Sequence, residues 1–320
     1  MAKIVAAMAS SHAFALTDPS EWDGRRERNR TMYKHRYGVE PPIHPKMAEE
    51  TPEVRAKCYQ QVRSGLDFFR ENLTGVKADA LILVGDDQNE NFKEDNLPQI
   101  AIHLGEEVFT TERRDGGYQR GARYRCHQAL ARDLLNGLVE REFDVAFSNG
   151  FPRSELLSHA HGPILQTVLP EADIPVVLIF INAIHVPAIS PGRCYRLGRA
   201  LREIIEEKPA DERVVLYASG GLSHFTGGYP WRHYKGPFTY GSISEDFDRK
   251  ALDLMARGQG EKLGQLTSHD LLEHGDIEMR SWLVVLGAVG KTSAQVLAYE
   301  PLYSGLMGMG VAYWEMAGSA

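Results

Sequence analysis

Cysteine is scarce in this sequence. Cys58, Cys126 and Cys194 are the only three in 320 residues, and none forms a CxxC pair. That spacing excludes a disulfide framework and a zinc knuckle, and it suits a reducing compartment. Basic excess is lacking too: 36 Lys and Arg stand against 43 Asp and Glu, a net charge of −7. The balance argues against nucleic acid or an anionic membrane as partner. No apolar run approaches the roughly 20 residues that span a bilayer. The N-terminal apolar stretch is broken by His12 and has no signal-peptide core, so a cytoplasmic protein is expected. Internal repeats, low-complexity tracts and linkers rich in Pro, Gly or Ser are also missing, and residues 1–320 read as one domain.

What is present is an alternation. Strand-like apolar runs fall at 3–8, 79–85, 99–104, 143–147, 174–182, 213–219, 293–299 and 310–314. Between them, helical patterns occupy about 51–73, 118–139, 191–207, 244–257, 267–273 and 277–289. Strands alternating with amphipathic helices predict an α/β fold, a mostly parallel central sheet with helices on both faces. The charged, proline-punctuated stretch 18–50 reads as a helical or loop excursion. It would cover the site, join a subunit interface or simply lie solvated on the surface.

In an open α/β sheet, ligands bind at the carboxyl ends of the strands. Four groups able to hold a metal or move a proton fall at strand ends or helix starts. His12 follows the first strand, and Asp86-Asp87-Gln88-Asn89-Glu90-Asn91-Phe92 follows the run 79–85. Ser158-His159-Ala160-His161-Gly162-Pro163 follows the run 143–147. Gly220-Gly221-Leu222-Ser223-His224-Phe225 follows Val214–Ser219, the two glycines allowing a sharp turn. Glu278 opens the helix 277–289, just after Gly275-Asp276. Each has an ordinary explanation. A histidine at a strand end is more often a structural hydrogen-bonder, an acid in a first helical turn usually faces the macrodipole, and acids after strands commonly form turns. His159 and His161 would point opposite ways in an extended chain, so at most one is expected to face a site. Convergence on one sheet edge raises the weight of the set. Two histidines and one carboxylate form the facial arrangement that suits non-haem iron(II), which spacing alone does not establish.

Four segments in order carry a resemblance. They are Met8-Ala9-Ser10-Ser11-His12, His161-Gly162-Pro163 with Leu169–Val177, Ala218-Ser219-Gly220-Gly221-Leu222-Ser223-His224-Phe225, and Glu278-Met279-Arg280-Ser281-Trp282-Leu283. From residue 3 to about 290 the chain resembles the class III extradiol ring-cleaving dioxygenases, typified by the protocatechuate 4,5-dioxygenase catalytic subunit and the gallate and methylgallate enzymes. The resemblance implies an Fe(II)-dependent oxidoreductase that opens the ring of a catechol- or gallate-type aromatic with O2. It makes His12 and Glu278 metal ligands and His224 the acid/base histidine beside the substrate. It makes His161 a hydrogen-bond donor to substrate or bound oxygen. A homo-oligomer is the default it suggests, with a small accessory subunit left open.

One position departs from the pattern. The family places its second histidine ligand in an Asp-His step four residues before a Phe; here that stretch is Asp87-Gln88-Asn89-Glu90-Asn91-Phe92. Gln88 therefore occupies the third metal position. Its amide oxygen is a weaker iron donor than imidazole, and Asp87, or at longer range His103, would be a substitute. The same scaffold would otherwise serve a metal-dependent hydrolase or lyase, or a metal-free binding protein. Tyr229, Trp231, Tyr234 and Phe238 would either wall a ring pocket or pack a long loop. Arg153, Arg232 and Arg280 are candidate partners for a substrate carboxylate.

Overall fold

A computed structural model describes residues 1–114, 117–151, 154–209, 211–225 and 240–316. In chain order the elements are β1 (Lys3–Ser10), α1 (Trp22–Tyr37), α2 (Pro52–Gly75), β2 (Ala80–Asp86), β3 (Ile100–His103), β4 (Glu107–Arg114), β5 (Gly117–Arg125) and α3 (Gln128–Glu140). Then follow β6 (Ala146–Ser148), α4 (Gly162–Val168), β7 (Val176–Ile181), α5 (Pro191–Glu207), β8 (Arg213–Ser219), α6 (Glu245–Ala256), α7 (Ser268–Glu273), α8 (Met279–Val289), β9 (Gln295–Leu302) and β10 (Met307–Glu315). Eight strands form one sheet in the order β6-β3-β7-β2-β8-β1-β10-β9. Its centre, β7-β2-β8-β1, is parallel throughout, while β3 joins β7, and β10 joins β1, antiparallel. The expected α/β architecture is present.

Strand alternation explains the two cores. Along β2, Ala80, Ile82 and Val84 face one side and Leu81 and Leu83 the other. The first side is covered by α3, α5 and α8 through Leu134, Leu197, Leu201, Trp282 and Leu283. The second is covered by α2 and α4 through Leu66, Phe69, Ile164 and Leu165. Both faces are sealed, which is why the parallel strands are continuous apolar runs rather than alternating ones. The helices α5 and α8 meet backbone to backbone. A Cβ at Gly198 would sit 1.8 Å from the Val284 carbonyl oxygen, and one at Gly287 would sit 1.9 Å from that of Tyr195.

One expectation needs correction. The helix read over 118–139 is in fact the second strand of a β4–β5 hairpin followed by α3, which starts only at Gln128. Arg120, Arg123 and Arg125 are good helix formers, but here they belong to a solvent-facing two-stranded ribbon whose partner strand supplies the hydrogen bonds. The excursion 18–50 is mainly α1, whose one buried side chain, Trp22, donates its indole N–H to the Thr17 carbonyl and packs edge-on to Phe14 and Tyr59. Among the described residues no helix is long and apolar enough to cross a membrane.

Candidate metal centre

Because β2, β8 and β1 are adjacent and parallel, their carboxyl ends bring three loops to one place. Ser11 ties two of these ends to β10. Its hydroxyl oxygen accepts the amide N–H of Leu222 at 3.0 Å and of Gly310 at 3.0 Å, and donates to the Gly308 carbonyl at 3.1 Å. After β8 the chain turns through Gly220 (φ +140°) and Gly221 (φ +60°), a path closed to ordinary L-residues. The turn aims the Gly221 N–H at Glu278.

Glu278 is the hub. It occupies the N-cap position of α8 yet does not cap its own helix. Its Oε2 accepts the Gly221 N–H at 3.0 Å and lies 3.5 Å from His12 Nε2. Its Oε1 accepts from Gln88 Nε2 at 2.8 Å and lies 3.2 Å from His224 Nε2. The side chain is fully buried. Burial works against its charge, but His224 and His12 nearby, with the His224 and Gly221 hydrogen bonds, hold it below the usual carboxylate range.

The partners are set up in turn. His12 is pushed down to about 3, chiefly by burial, so its ring is neutral. Its Nδ1 is 3.1 Å from Ser219 Oγ, which leaves Nε2 as the free donor toward Glu278. His224 Nδ1 lies 2.7 Å from the Leu222 carbonyl; a carbonyl only accepts, so that nitrogen carries the proton. Burial disfavours its cation, but the Glu278 carboxylate raises His224 to about 9. The loop before it is anchored by buried Asp248, whose oxygens accept from Ser223 N at 3.1 Å, Ser223 Oγ at 2.7 Å and Tyr299 OH at 2.7 Å.

The loop after β2 contributes a residue that sequence reasoning passed over. His12, Asp86 and Glu278 each offer a donor atom, and those atoms lie within 4.8 Å of one another. Asp86 is fully buried; one oxygen accepts from Gln88 Nε2 at 3.0 Å and the other, Oδ1, has no hydrogen-bond partner among the described residues. Burial first, then the neighbouring Glu278, drive it well above the ordinary aspartate value. Two buried carboxylates this close repel unless a cation joins them or one is protonated, and an orphaned oxygen is a donor in waiting, so these residues fit a divalent ion. The signal was readable: 80, 82, 84 and 86 share the face that α8 covers, and Glu278 stands at the start of α8. Asp87, the alternative that was considered, is turned away. Its carboxylate accepts the backbone N–H of Glu90, Asn91 and Phe92 at 3.2, 2.8 and 3.1 Å and so folds the loop on itself.

The two histidines of the third loop are not in extended chain. His161 lies against Gly85, with Nδ1 2.8 Å from Ser158 Oγ and Nε2 3.2 Å from the Ile179 carbonyl. Both nitrogens are engaged, and burial takes the ring down to about 4. A role at the substrate requires it to release one of these bonds. His159 is the one that reaches the cluster, edge-on to His12 at 4.8 Å between ring centroids. Its Nδ1 is 2.7 Å from Glu90 Oε2. Burial opposes its charge, but Glu90 raises it to about 9. His103 stacks on Phe151 at 4.8 Å, and no contact joins it to the Glu278 group. Arg280 is buried and gives Nε to the Ile189 carbonyl at 2.6 Å and Nη1 to that of Ile277 at 2.8 Å, so it braces α8. Arg153, Arg232, Tyr229, Trp231, Tyr234 and Phe238 lie outside the described residues.

A doubly covered α/β sheet carries at its carboxyl edge a buried His-and-carboxylate group that could hold a metal ion. Comparison with known proteins narrows it: residues 41–313 match the family model described as the catalytic LigB subunit of aromatic ring-opening dioxygenase, and the chain belongs to that family. It is 28% identical over 169 residues to gallate dioxygenase of Pseudomonas putida, a match that takes in 51% of this chain and 46% of that protein, so the chain aligns with about half the length of that relative. It is 23% identical over 313 residues to 2,3-dihydroxyphenylpropionate/2,3-dihydroxicinnamic acid 1,2-dioxygenase of a Rhodococcus species, covering 83% of this chain and 94% of that one.

Proposed function

We propose that this protein is an iron(II)-dependent extradiol dioxygenase acting on a carboxylated catechol- or gallate-type aromatic. The observation that carries the reading is Glu278, buried and met at once by His12, Gln88 and His224 from three different strand ends. When bound, the metal supplies coordination of two adjacent ring oxygens and activation of dioxygen. His12 and Glu278 hold it, with a third donor from the carboxyl end of β2. Ser219 orients the His12 ring, and the Gly221 N–H orients the Glu278 carboxylate.

His224 is the acid/base group. Its Nδ1–H is fixed on the Leu222 carbonyl, so Nε2 is the atom that would exchange a proton with a substrate hydroxyl, once a cation on Glu278 offsets the carboxylate charge that keeps the ring protonated. His161, under Gly85, holds the 158–162 turn through Ser158, and that turn presents His159, held by Glu90 from the loop after β2, beside His12. Both atoms of O2 enter the opened ring and no external reductant is needed. Gallate and dihydroxyphenylpropionate, named for the relatives, both carry a carboxylate beside vicinal hydroxyls, which supports that substrate class.

Oxygen uptake by iron-loaded protein against a panel of catechols and gallates tests the proposal. One O2 is consumed per ring opened. His224→Gln keeps its metal while turnover falls about 100- to 10,000-fold. No uptake by the metal-loaded protein with any member of the panel refutes the reading. The nearness of Asp86 to Glu278 favours a second reading, a hydrolase or lyase using metal-bound water with His224 as base. Turnover that proceeds without oxygen would select it.

A further inference from the structure

We propose that the cation of this centre is held by one imidazole and two carboxylates, His12, Asp86 and Glu278, and that Gln88 is a brace between the carboxylates rather than a ligand. The inference rests on the reading above only in taking a divalent cation to bind here. Its geometry is that of the chain itself. Donor atoms of the three residues lie within 4.8 Å of one another, all three side chains are buried, and Asp86 Oδ1 is without a hydrogen-bond partner among the described residues. Asp86 is the last residue of β2, on the strand face that α8 covers, so the fold aims it at the start of that helix.

Gln88 behaves otherwise. A single nitrogen, Nε2, reaches both carboxylates, at 3.0 Å to Asp86 Oδ2 and 2.8 Å to Glu278 Oε1. With both carboxylates ionised, as ligands of a cation are, exchanging the amide oxygen and nitrogen would set three oxygens against one another, so the hydrogen-bond network favours this orientation. The amide thus presents donor hydrogens, not a lone pair, to the carboxylates. Asp87 is excluded because its carboxylate closes its own loop on three backbone N–H groups.

The charge of the site changes accordingly. Two carboxylates and a neutral imidazole balance a divalent ion completely, whereas two imidazoles and one carboxylate leave one positive charge. An oxygen-rich set also favours harder ions, so manganese(II) is accepted readily alongside iron(II).

The test is titration of the chelator-stripped full-length protein with manganese(II) without substrate or oxygen, following free Mn2+ by electron paramagnetic resonance. Wild type binds one equivalent, and electron spin-echo modulation reports a single imidazole nitrogen. Asp86→Asn weakens binding by more than the 10- to 100-fold typical of a supporting residue, and Gln88→Leu stays within that about 10- to 100-fold span. Undiminished affinity in Asp86→Asn overturns the assignment, as does Gln88→Leu losing the ion as completely as His12→Ala. Modulation from two imidazoles in the wild-type protein overturns it without any variant. Metal held in this way with no oxygen uptake on any catechol would refute the dioxygenase reading alone; turnover with Asp86→Asn binding unchanged would refute the ligand assignment alone.

Discussion

Replacing Gly287 by alanine tests how the site is built. The residue lies in α8, where its Cα faces the backbone of α5, and the added Cβ would fall 1.9 Å from the Tyr195 carbonyl oxygen. Real Cβ contacts essentially never come under 3.0 Å, so the helices must separate by the difference, about 1.1 Å, along that line. Overpacking of an interior contact costs about 1–3 kcal/mol, and an obstruction by backbone, which has no rotamer to change, sits near 3. At about 2 °C per kcal/mol for a chain of this size, Tm falls by roughly 6 °C. Helix propensity alone predicts the opposite sign, because alanine is better than glycine in a helix by about 1 kcal/mol. Calorimetry or thermal circular dichroism separates the two. Since α8 starts at Glu278, a tilt of that helix also carries the hub carboxylate with it, and metal affinity falls in step. A Gly287→Ala protein with Tm unchanged or raised would refute the close-packing argument. Gly198→Ala, the reciprocal contact at 1.8 Å, is expected to behave the same way.

Other outcomes follow from the same geometry. Ser219→Ala removes the partner of His12 Nδ1 and lowers metal affinity about 10- to 100-fold without changing the stoichiometry, which isothermal titration measures. Tyr299→Phe removes one bond from the buried Asp248 carboxylate and costs about 1.5–3 kcal/mol in urea unfolding. His103 is pushed down to about 4 by burial. The unfolded chain therefore takes up a proton near pH 6.5 that the folded protein refuses until about pH 4. Its contribution is present above 6.5 and lost as pH falls toward 4, a drop of about 3 kcal/mol. His12 and His161, also pushed down by burial, add to the same limb, so His103→Phe should make it shallower in urea titrations at stepped pH without abolishing it; an unchanged limb would show that His103 does not contribute.

Much of this molecule was legible in its sequence. Apolar runs such as Leu81–Val84 and Val214–Ala218 announced buried parallel strands, and the glycine turn before His224 marked the edge where chemistry sits. Strand order was not legible, because nothing local in 307–315 says that β10 runs antiparallel beside β1. The β4–β5 hairpin was hidden by arginines that suit a helix equally well, although Asp115-Gly116-Gly117 is a hairpin turn signal. At the centre, His12, Gln88, His224 and Glu278 come together from positions far apart in the chain. Asp86 was passed over in favour of Asp87 because adjacent acids in a turn look alike until strand parity is followed to the last residue of β2. His159 and His161 were weighed as an alternating extended pair, and the turn they occupy, entering α4 at Gly162, breaks that alternation.

One cation is expected where β1, β2 and β8 end, against the start of α8. Crystals of protein reconstituted with iron(II) without oxygen, measured on both sides of the iron absorption edge, test it directly. A single anomalous peak is expected about 2.0–2.4 Å from His12 Nε2 and from a Glu278 carboxylate oxygen. A peak anywhere else, or none at all after reconstitution, would contradict it.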